Sequence, residues 1–176
     1  MMRPRSLRFL RHLFADRKGA AAVEFALLIF PLSLMIFAII EVSVMFFAAS
    51  SLDASVQKIS RMIRTGEAVS ANMTLTDFKA KICADMTLTF SCSDNLLIRV
   101  DVISNLSAVT SATPIDSTGN LKVTETFATG KASDYMLVQA FLPWSSVVNY
   151  FTYSSAKLAD GRYLLGATVL FRNEPS

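Results

Sequence analysis

Asp16-Arg-Lys-Gly-Ala-Ala-Ala-Val-Glu24-Phe-Ala-Leu-Leu28, running on into Ile29-Phe-Pro-Leu-Ser-Leu-Met-Ile-Phe-Ala-Ile-Ile40, decides how this chain folds. A basic leader ends at one glycine, Gly19, and apolar sequence starts at the next residue. The window from Phe25 to Ile40 holds no charge, and Val42 to Ala49 extends it beyond the single carboxylate Glu41. About 20 apolar residues in a helix cross a hydrocarbon core, so this run is long enough to do so. Yet Glu24 stands five residues after Gly19. An ionised Glu within lipid costs at least a few kcal/mol, so its position marks either an interface or a partner.

Upstream of the run the charge is concentrated. Six of the chain's 17 basic residues (Arg3, Arg5, Arg8, Arg11, Arg17, Lys18) but one of its 14 acidic residues (Asp16) precede Gly19. The leader therefore carries +5 and the remainder −2, although the 176-residue chain as a whole is +3. The body has no basic patch of the kind that binds nucleic acid. A cluster of Arg and Lys just before an apolar span keeps the N-terminus in the cytoplasm and sends the C-terminal side of the span outward. A secretory signal peptide has a shorter apolar core and a small-residue cleavage site after it. Here Ala48-Ala49-Ser50 offers such a cut near Ala49 or Ser50, but Gly19-Ala20 places small residues before the core instead.

Downstream the helix pattern continues. Leu52, Val56, Ile59 and Ile63 recur at spacings of four, three and four, with Asp53, Gln57, Lys58, Arg61 and Arg64 on other faces. That is an amphipathic stripe. Gly66 sits where a C-terminal cap belongs, with Arg64 in the last turn. A helix from Ala20 to Thr65 would be roughly 70 Å long, more than a bilayer needs, so its second half packs against an exported domain or against neighbouring subunits. Thr76 to Met86 reads as a short helix capped by Thr74 or Thr76, with Phe78, Ile82 and Met86 on one face. Leu96 to Ile103 alternates, with Leu96, Ile98, Val100 and Val102 to one side, and predicts a half-buried strand. Residues 104–133 read as loop, with a short strand near Lys122 to Phe127. Tyr135 to Leu142 predicts a strand stopped by Pro143. Ser145 to Ala159 is aromatic-rich and reads as helix or loop around Trp144, Tyr150, Phe151 and Tyr153. Arg162 to Phe171 is apolar on both faces and predicts a central strand. A long helix with three or four strands makes a small α+β domain.

The residues around Gly19 carry a resemblance. Lys18-Gly19 followed by Ala20-Ala-Ala-Val-Glu24-Phe25 resembles the prepilin-peptidase site of type IV pilin-like proteins, and most closely that of TadE-like pseudopilins of the Tad (tight adherence, Flp-type) pilus. Pro31 in the apolar run, Glu41 after Ile39-Ile40, Arg64-Thr-Gly66 and the C-terminal Phe171-Arg-Asn-Glu-Pro175 strengthen it. The likeness is dense over residues 16–66, thin in the middle, and returns at the tail. It implies a pilin-like α+β fold, in which the C-terminal half of a membrane-spanning helix packs on a small, mostly antiparallel sheet. It divides the chain into a leader (1–19), a long helix (20–66) and a periplasmic domain (67–176). It implies cleavage between Gly19 and Ala20, with Glu24 and Phe25 as part of the processing motif. Ala20 and Glu24 would then serve subunit assembly, and Pro31 would bend the helix. The implied partners are a prepilin peptidase, other pilin and pseudopilin subunits, and an inner-membrane pilus assembly platform.

Cys83 and Cys92 are the two cysteines, and an exported domain meets an oxidising compartment, so they are expected to pair as a disulfide. Common catalytic chemistry finds little footing. The one histidine, His12, lies in the leader, which removes Ser–His–Asp and Cys–His arrangements and His/Cys zinc sites from the body. Gly66, Gly119, Gly130, Gly161 and Gly166 are isolated and form no phosphate loop. Asp77, Asp85, Asp94, Asp101 and Asp116 leave paired carboxylates open, and Asp94-Asn95 and Asp116 to Asn120 match no recognised calcium loop. The expectation is a structural subunit, not an enzyme, with no cofactor and no metal. The alternative is an uncleaved single-pass inner-membrane anchor presenting a periplasmic scaffold.

Overall fold

The computed structural model describes residues 19–86, 92–104, 114–145 and 158–175. The elements are α1 (Ala20–Arg64), α2 (Glu67–Ser70), α3 (Leu75–Asp85), α4 (Cys92–Asn95), β1 (Leu97–Ile103), β2 (Thr126–Phe127), β3 (Tyr135–Trp144) and β4 (Tyr163–Arg172). A long apolar N-terminal helix and a small four-stranded mixed sheet make this an α+β protein. The chain divides into two compact units that meet at Ile40 and Glu41, within α1.

The first unit contributes the apolar half of α1. Its side chains face outward: Phe25 is 65% exposed, Leu28 72% and Phe37 63%. α1 runs through Pro31, whose missing N–H leaves the Leu27 carbonyl without its helical donor. Two residues on, the Ser33 hydroxyl donates to the Ile29 carbonyl at 2.7 Å.

The second unit holds the core. Leu52, Val56 and Ile63 of α1 are fully buried, together with Ala48, Ser55 and Ser60. They join Phe78 and Ile82 of α3, Ile98 and Val100 of β1, and Met136, Val138 and Ala140 of β3 in one cluster. Of the two surroundings its spacing allowed, the amphipathic stripe thus packs on its own domain. Each large side chain so buried contributes on the order of 1.5–3 kcal/mol against chain entropy. α1 ends as expected. Gly66 takes φ +77°, a left-handed conformation open to glycine, and its N–H donates to the Ile63 carbonyl at 3.1 Å.

α3 begins at Leu75 because Thr74 caps it. The Thr74 hydroxyl accepts the Asp77 N–H at 3.2 Å, and the Asp77 carboxylate accepts the Thr74 N–H at 3.0 Å, a reciprocal capping box. α3 ends at Cys83-Ala-Asp85, and Cys83 is joined to Cys92 by a disulfide with Cα atoms 5.7 Å apart. That link ties α3 to α4, the short helix just before β1. Neither α2 nor α4 has a sequence signature, since each is four residues long.

The sheet order is β2-β1-β3-β4. β1 and β3 pair antiparallel from Leu97↔Phe141 to Ile103↔Tyr135, and β3 and β4 from Tyr135↔Arg172 to Trp144↔Tyr163. β2 adds two residues parallel to β1. Three sequence expectations need correcting. Pro143 does not stop β3, which continues to Trp144. Beyond Phe141 β1 no longer flanks β3, so the proline stands where one side of the strand is open and a lost N–H is tolerated. β4 is an edge strand, not a central one; β3 is the central strand, buried on both faces from Met136 to Leu142. On β4 the residues Leu165, Ala167, Val169 and Phe171 turn to the core, and Leu170 opposite them is exposed. Val102 is exposed as well, and Ile103 is buried in its place, so the alternation of β1 breaks at its last two residues. The aromatic segment around Tyr150, Phe151 and Tyr153 lies outside the described residues.

Candidate processing and assembly site

Gly19 is exposed and immediately precedes the first residue of α1, Ala20. No heavy atom comes within 4 Å of where a Gly19 side chain would begin, apart from its chain neighbours. Ala20 and Glu24 are four residues apart on α1, which puts them one turn apart on one face. Glu24 is exposed, and among the described residues no cation lies within ion-pair distance of it. Phe25, the next residue, is exposed too. Gly19 thus stands just before α1, and Ala20, Glu24 and Phe25 lie on the first two turns of a helix that continues outward-facing and apolar for a further fifteen residues to Ile40.

Four of the five carboxylates that the sequence left open as an acid–base pair, Asp77, Asp85, Asp101 and Asp116, have local structural employment. Asp77 closes the α3 capping box. The Thr74 hydroxyl and then the Thr74 backbone N–H hold its carboxyl below the usual range. Asp85 pairs with Lys58 of α1, and the Lys58 ammonium holds it low in the same way. Asp101 takes Arg99 on β1 and the Thr126 hydroxyl at 2.7 Å. Asp116 Oδ1 accepts the Thr118 hydroxyl at 2.7 Å and the Thr118 and Asn120 N–H groups at 2.9 Å each, which lowers its titration. Asp160, beside Arg162, is lowered by that guanidinium. Among the described residues no group of three or more His, Cys, Asp or Glu side chains converges.

Two motifs far apart in the chain meet. The Glu174 N–H donates to the Arg64 carbonyl at 3.0 Å, and Arg64 Nε lies 3.4 Å from the Glu174 carboxylate. Asn173 is buried beside them. Its Nδ2 donates to the Thr129 carbonyl at 3.0 Å and the Lys131 carbonyl at 3.1 Å, and its N–H to the Asp134 carbonyl at 2.9 Å. Gly130 makes room for this, because a Cβ there would come within 2.6 Å of Met136 Sδ. The tail therefore satisfies one of the carbonyls left open at the end of α1. Both motifs stood out in the sequence, but no local signal said that they touch.

Residues 19–61 match the family model described as TadE-like protein. Over that segment the chain is similar to TadE-like proteins. No curated protein and no solved structure matches it. The first residue of the family match is Gly19 and its last is Arg61, so it covers the first turns carrying Ala20, Glu24 and Phe25, the apolar half of α1, and most of the buried stripe. The TadE-like segment is thus a single helix that serves two surroundings. The sheet, the disulfide and the Asn173-Glu174 tail lie beyond it.

Proposed function

We propose that this chain is a minor pilin, or pseudopilin, of a Tad-type pilus or secretion system, a structural subunit and not a catalyst. The observation that carries the reading is the coincidence, within the TadE-like segment, of a helix beginning at Ala20 and an outward-facing apolar surface from Phe25 to Ile40. The Arg-rich leader (1–19) stays cytoplasmic, the long helix (20–66) spans the inner membrane, and the domain (67–176) is periplasmic. A prepilin peptidase hydrolyses the Gly19–Ala20 bond after reading Gly19, Glu24 and Phe25. The cut frees the Ala20 amine one turn from Glu24. A carboxylate and an ammonium packed together in lipid avoid the cost of leaving either charge alone. Glu24 would then neutralise its own Ala20 amine or that of a neighbouring subunit as helices pack side by side. Pro31 gives the apolar half a bend that a neighbouring helix can match. Other pilins and the inner-membrane assembly platform are the partners.

Intact mass and N-terminal sequencing of the membrane-extracted protein, with and without its host's prepilin peptidase, test this. The expected N-terminus is Ala20 with the peptidase, and the leader is retained without it. A leader retained in both hosts would turn the reading to an uncleaved anchor with a periplasmic scaffold. A cut near Ala49 or Ser50 would mean a secreted domain. Given cleavage, Glu24→Ala is expected to keep even the cleaved chain out of the fibre, read by immunoblotting of sheared pili with the cleaved and uncleaved forms resolved by mass.

A further inference from the structure

The two edges of the sheet are treated differently. At one edge β1 is flanked by β2 at Arg99↔Thr126 and Val100↔Phe127. Just beyond, the Glu125 carboxylate accepts the Ile98 N–H at 3.0 Å and is itself held by Lys79 at 2.6 Å. That edge is closed by backbone and side chains together. At the other edge β4 pairs with β3 along ten residues, and among the described residues no strand lies outside it. Alternate residues from Leu164 to Arg172 therefore direct their N–H and C=O groups away from β3, to no described partner. Long edge strands are commonly blunted by lysine, proline or a bulge. Leu164 to Phe171 contains no charge and no proline, and its pairing with β3 runs without interruption.

A groove of about 430 Å³ runs beside this edge, between α1 and β4. Thr168 to Phe171 form its strand wall, and Ser60, Arg61 and Arg64 line its helix wall. No carboxylate is among the residues lining it. Arg61 is exposed and makes no ion pair among the described residues. Arg64 shares Glu174 only at 3.4 Å, with both side chains half exposed. Ser60 is 1% exposed, and its hydroxyl has no partner among the described residues. An open backbone ladder beneath two cations is a site with stated chemistry.

We propose that this edge docks an extended, acidic segment of another subunit, which adds as a further strand beside β4 and sets a carboxylate against Arg61. Backbone pairing supplies the affinity, and every second side chain of the added strand turns toward the α1 wall, where charge selects it. A second copy of β4 does not fit. It offers no acid anywhere from Tyr163 to Leu170 and ends in Arg172, so two such strands would bring only like charges to the groove. The proposal goes beyond the pilin reading and needs neither cleavage at Gly19 nor fibre assembly.

The test places a benzophenone amino acid at Leu170 in the full chain, in its native membrane, and maps the photoadduct by mass spectrometry. Val102, exposed on β1, is the control position. The expected result is one adduct at Leu170, absent at Val102, on a segment of another protein that carries Asp or Glu within a few residues. Arg61→Glu should lower its yield about tenfold at unchanged protein level, the loss of one close charge pair. Reversing the partner's acid to Arg in that background should restore it. No adduct at Leu170, an adduct on a second copy of this chain, a target segment without an acid, or a yield indifferent to Arg61→Glu would each overturn the proposal. The readout is a crosslink in the membrane, so its failure is distinct from retention of the leader, which bears on the pilin reading alone.

Discussion

The two halves of α1 belong to one unbroken helix and obey opposite rules. From Phe25 to Ile40 the helix is apolar around most of its circumference and its side chains face outward. From Ala48 to Ile63 a narrow stripe is apolar and fully buried, and the remaining faces carry Asp53, Gln57, Lys58, Arg61 and Arg64. A helix that is hydrophobic all round belongs in an apolar surrounding, and one with a stripe belongs on the surface of a core. The difference teaches that this protein spends its hydrophobicity twice. The first half matches a solvent outside the chain, and the second nucleates a domain.

Truncation makes the contrast measurable. Leu52→Ala removes a fully buried side chain from the core cluster and is expected to cost about 2–5 kcal/mol in denaturant unfolding of the detergent-solubilised protein. Leu28→Ala, at a side chain 72% exposed, is expected to leave that transition unchanged. Equal losses at both positions would break the comparison, since they would require Leu28 to share the core. The disulfide supplies the next largest effect. Replacing Cys83 and Cys92 by serine opens a short loop between α3 and α4, which the chain-entropy model values at about 2–3 kcal/mol. The loss should appear in the cooperative transition that Leu52→Ala shifts. If reduction leaves that transition where it was, the link lies outside the cooperative unit built on the second half of α1.

Local signals made much of this legible. The burial of Leu52, Val56 and Ile63 follows from their spacing, the end of α1 from Gly66, and the start of α3 from a threonine cap, for which the sequence offered Thr74 or Thr76 and the fold uses Thr74. The order of the strands did not follow. Tyr163 to Arg172 and Tyr135 to Trp144 are both apolar on two faces, and pattern alone does not tell which of two such strands is central. The deciding fact is that β1 pairs with β3, a contact between segments far apart in sequence. Pro143 misled for a related reason, because a proline is forbidden only where both neighbours need the ladder. The placement of Ala20, Glu24 and Phe25 on the first turns of α1 was legible, since they lie consecutively or one turn apart at the start of an apolar helical run. The meeting of Arg64 with Glu174 was not, because each lies at a chain segment with no pattern pointing to the other.

A smaller effect sharpens the picture within the domain. Thr74→Ala deletes the hydroxyl of the α3 cap and should cost about 0.5–2 kcal/mol. It should also blunt acid sensitivity. Because Asp77 titrates lower in the folded protein than in the unfolded chain, its contribution is complete above about pH 4 and is lost as pH falls through the lowered folded value. Without the Thr74 hydroxyl the backbone N–H remains, so the wild type and the variant should converge as pH falls from about 5 toward about 2. Parallel curves over that range would mean that the hydroxyl acts through the helix alone and not through the Asp77 carboxylate.

The smallest effect belongs to the pair that ties the second half of α1 to α3, Lys58 and Asp85. Lys58 is mostly exposed, and an ion pair at the surface gains little over two solvated charges. Lys58→Ala should therefore shift unfolding less than Thr74→Ala does. Its sign with pH is the same as for Asp77: the lowered Asp85 carboxyl contributes above the unfolded value and stops contributing as acid protonates it. Salt separates the two. The Thr74–Asp77 box is made of short hydrogen bonds within one turn, whereas the Lys58–Asp85 pair is a charge attraction between separate helices. At about 1 M ionic strength the screening length falls to about 3 Å, so the difference between wild type and Lys58→Ala should vanish while that for Thr74→Ala persists. A Lys58→Ala deficit that survives high salt would mean that the aliphatic stem of Lys58, and not its charge, holds α1 to α3. The second half of the helix would then be bound to its domain by apolar contact on its charged face as well as on its stripe.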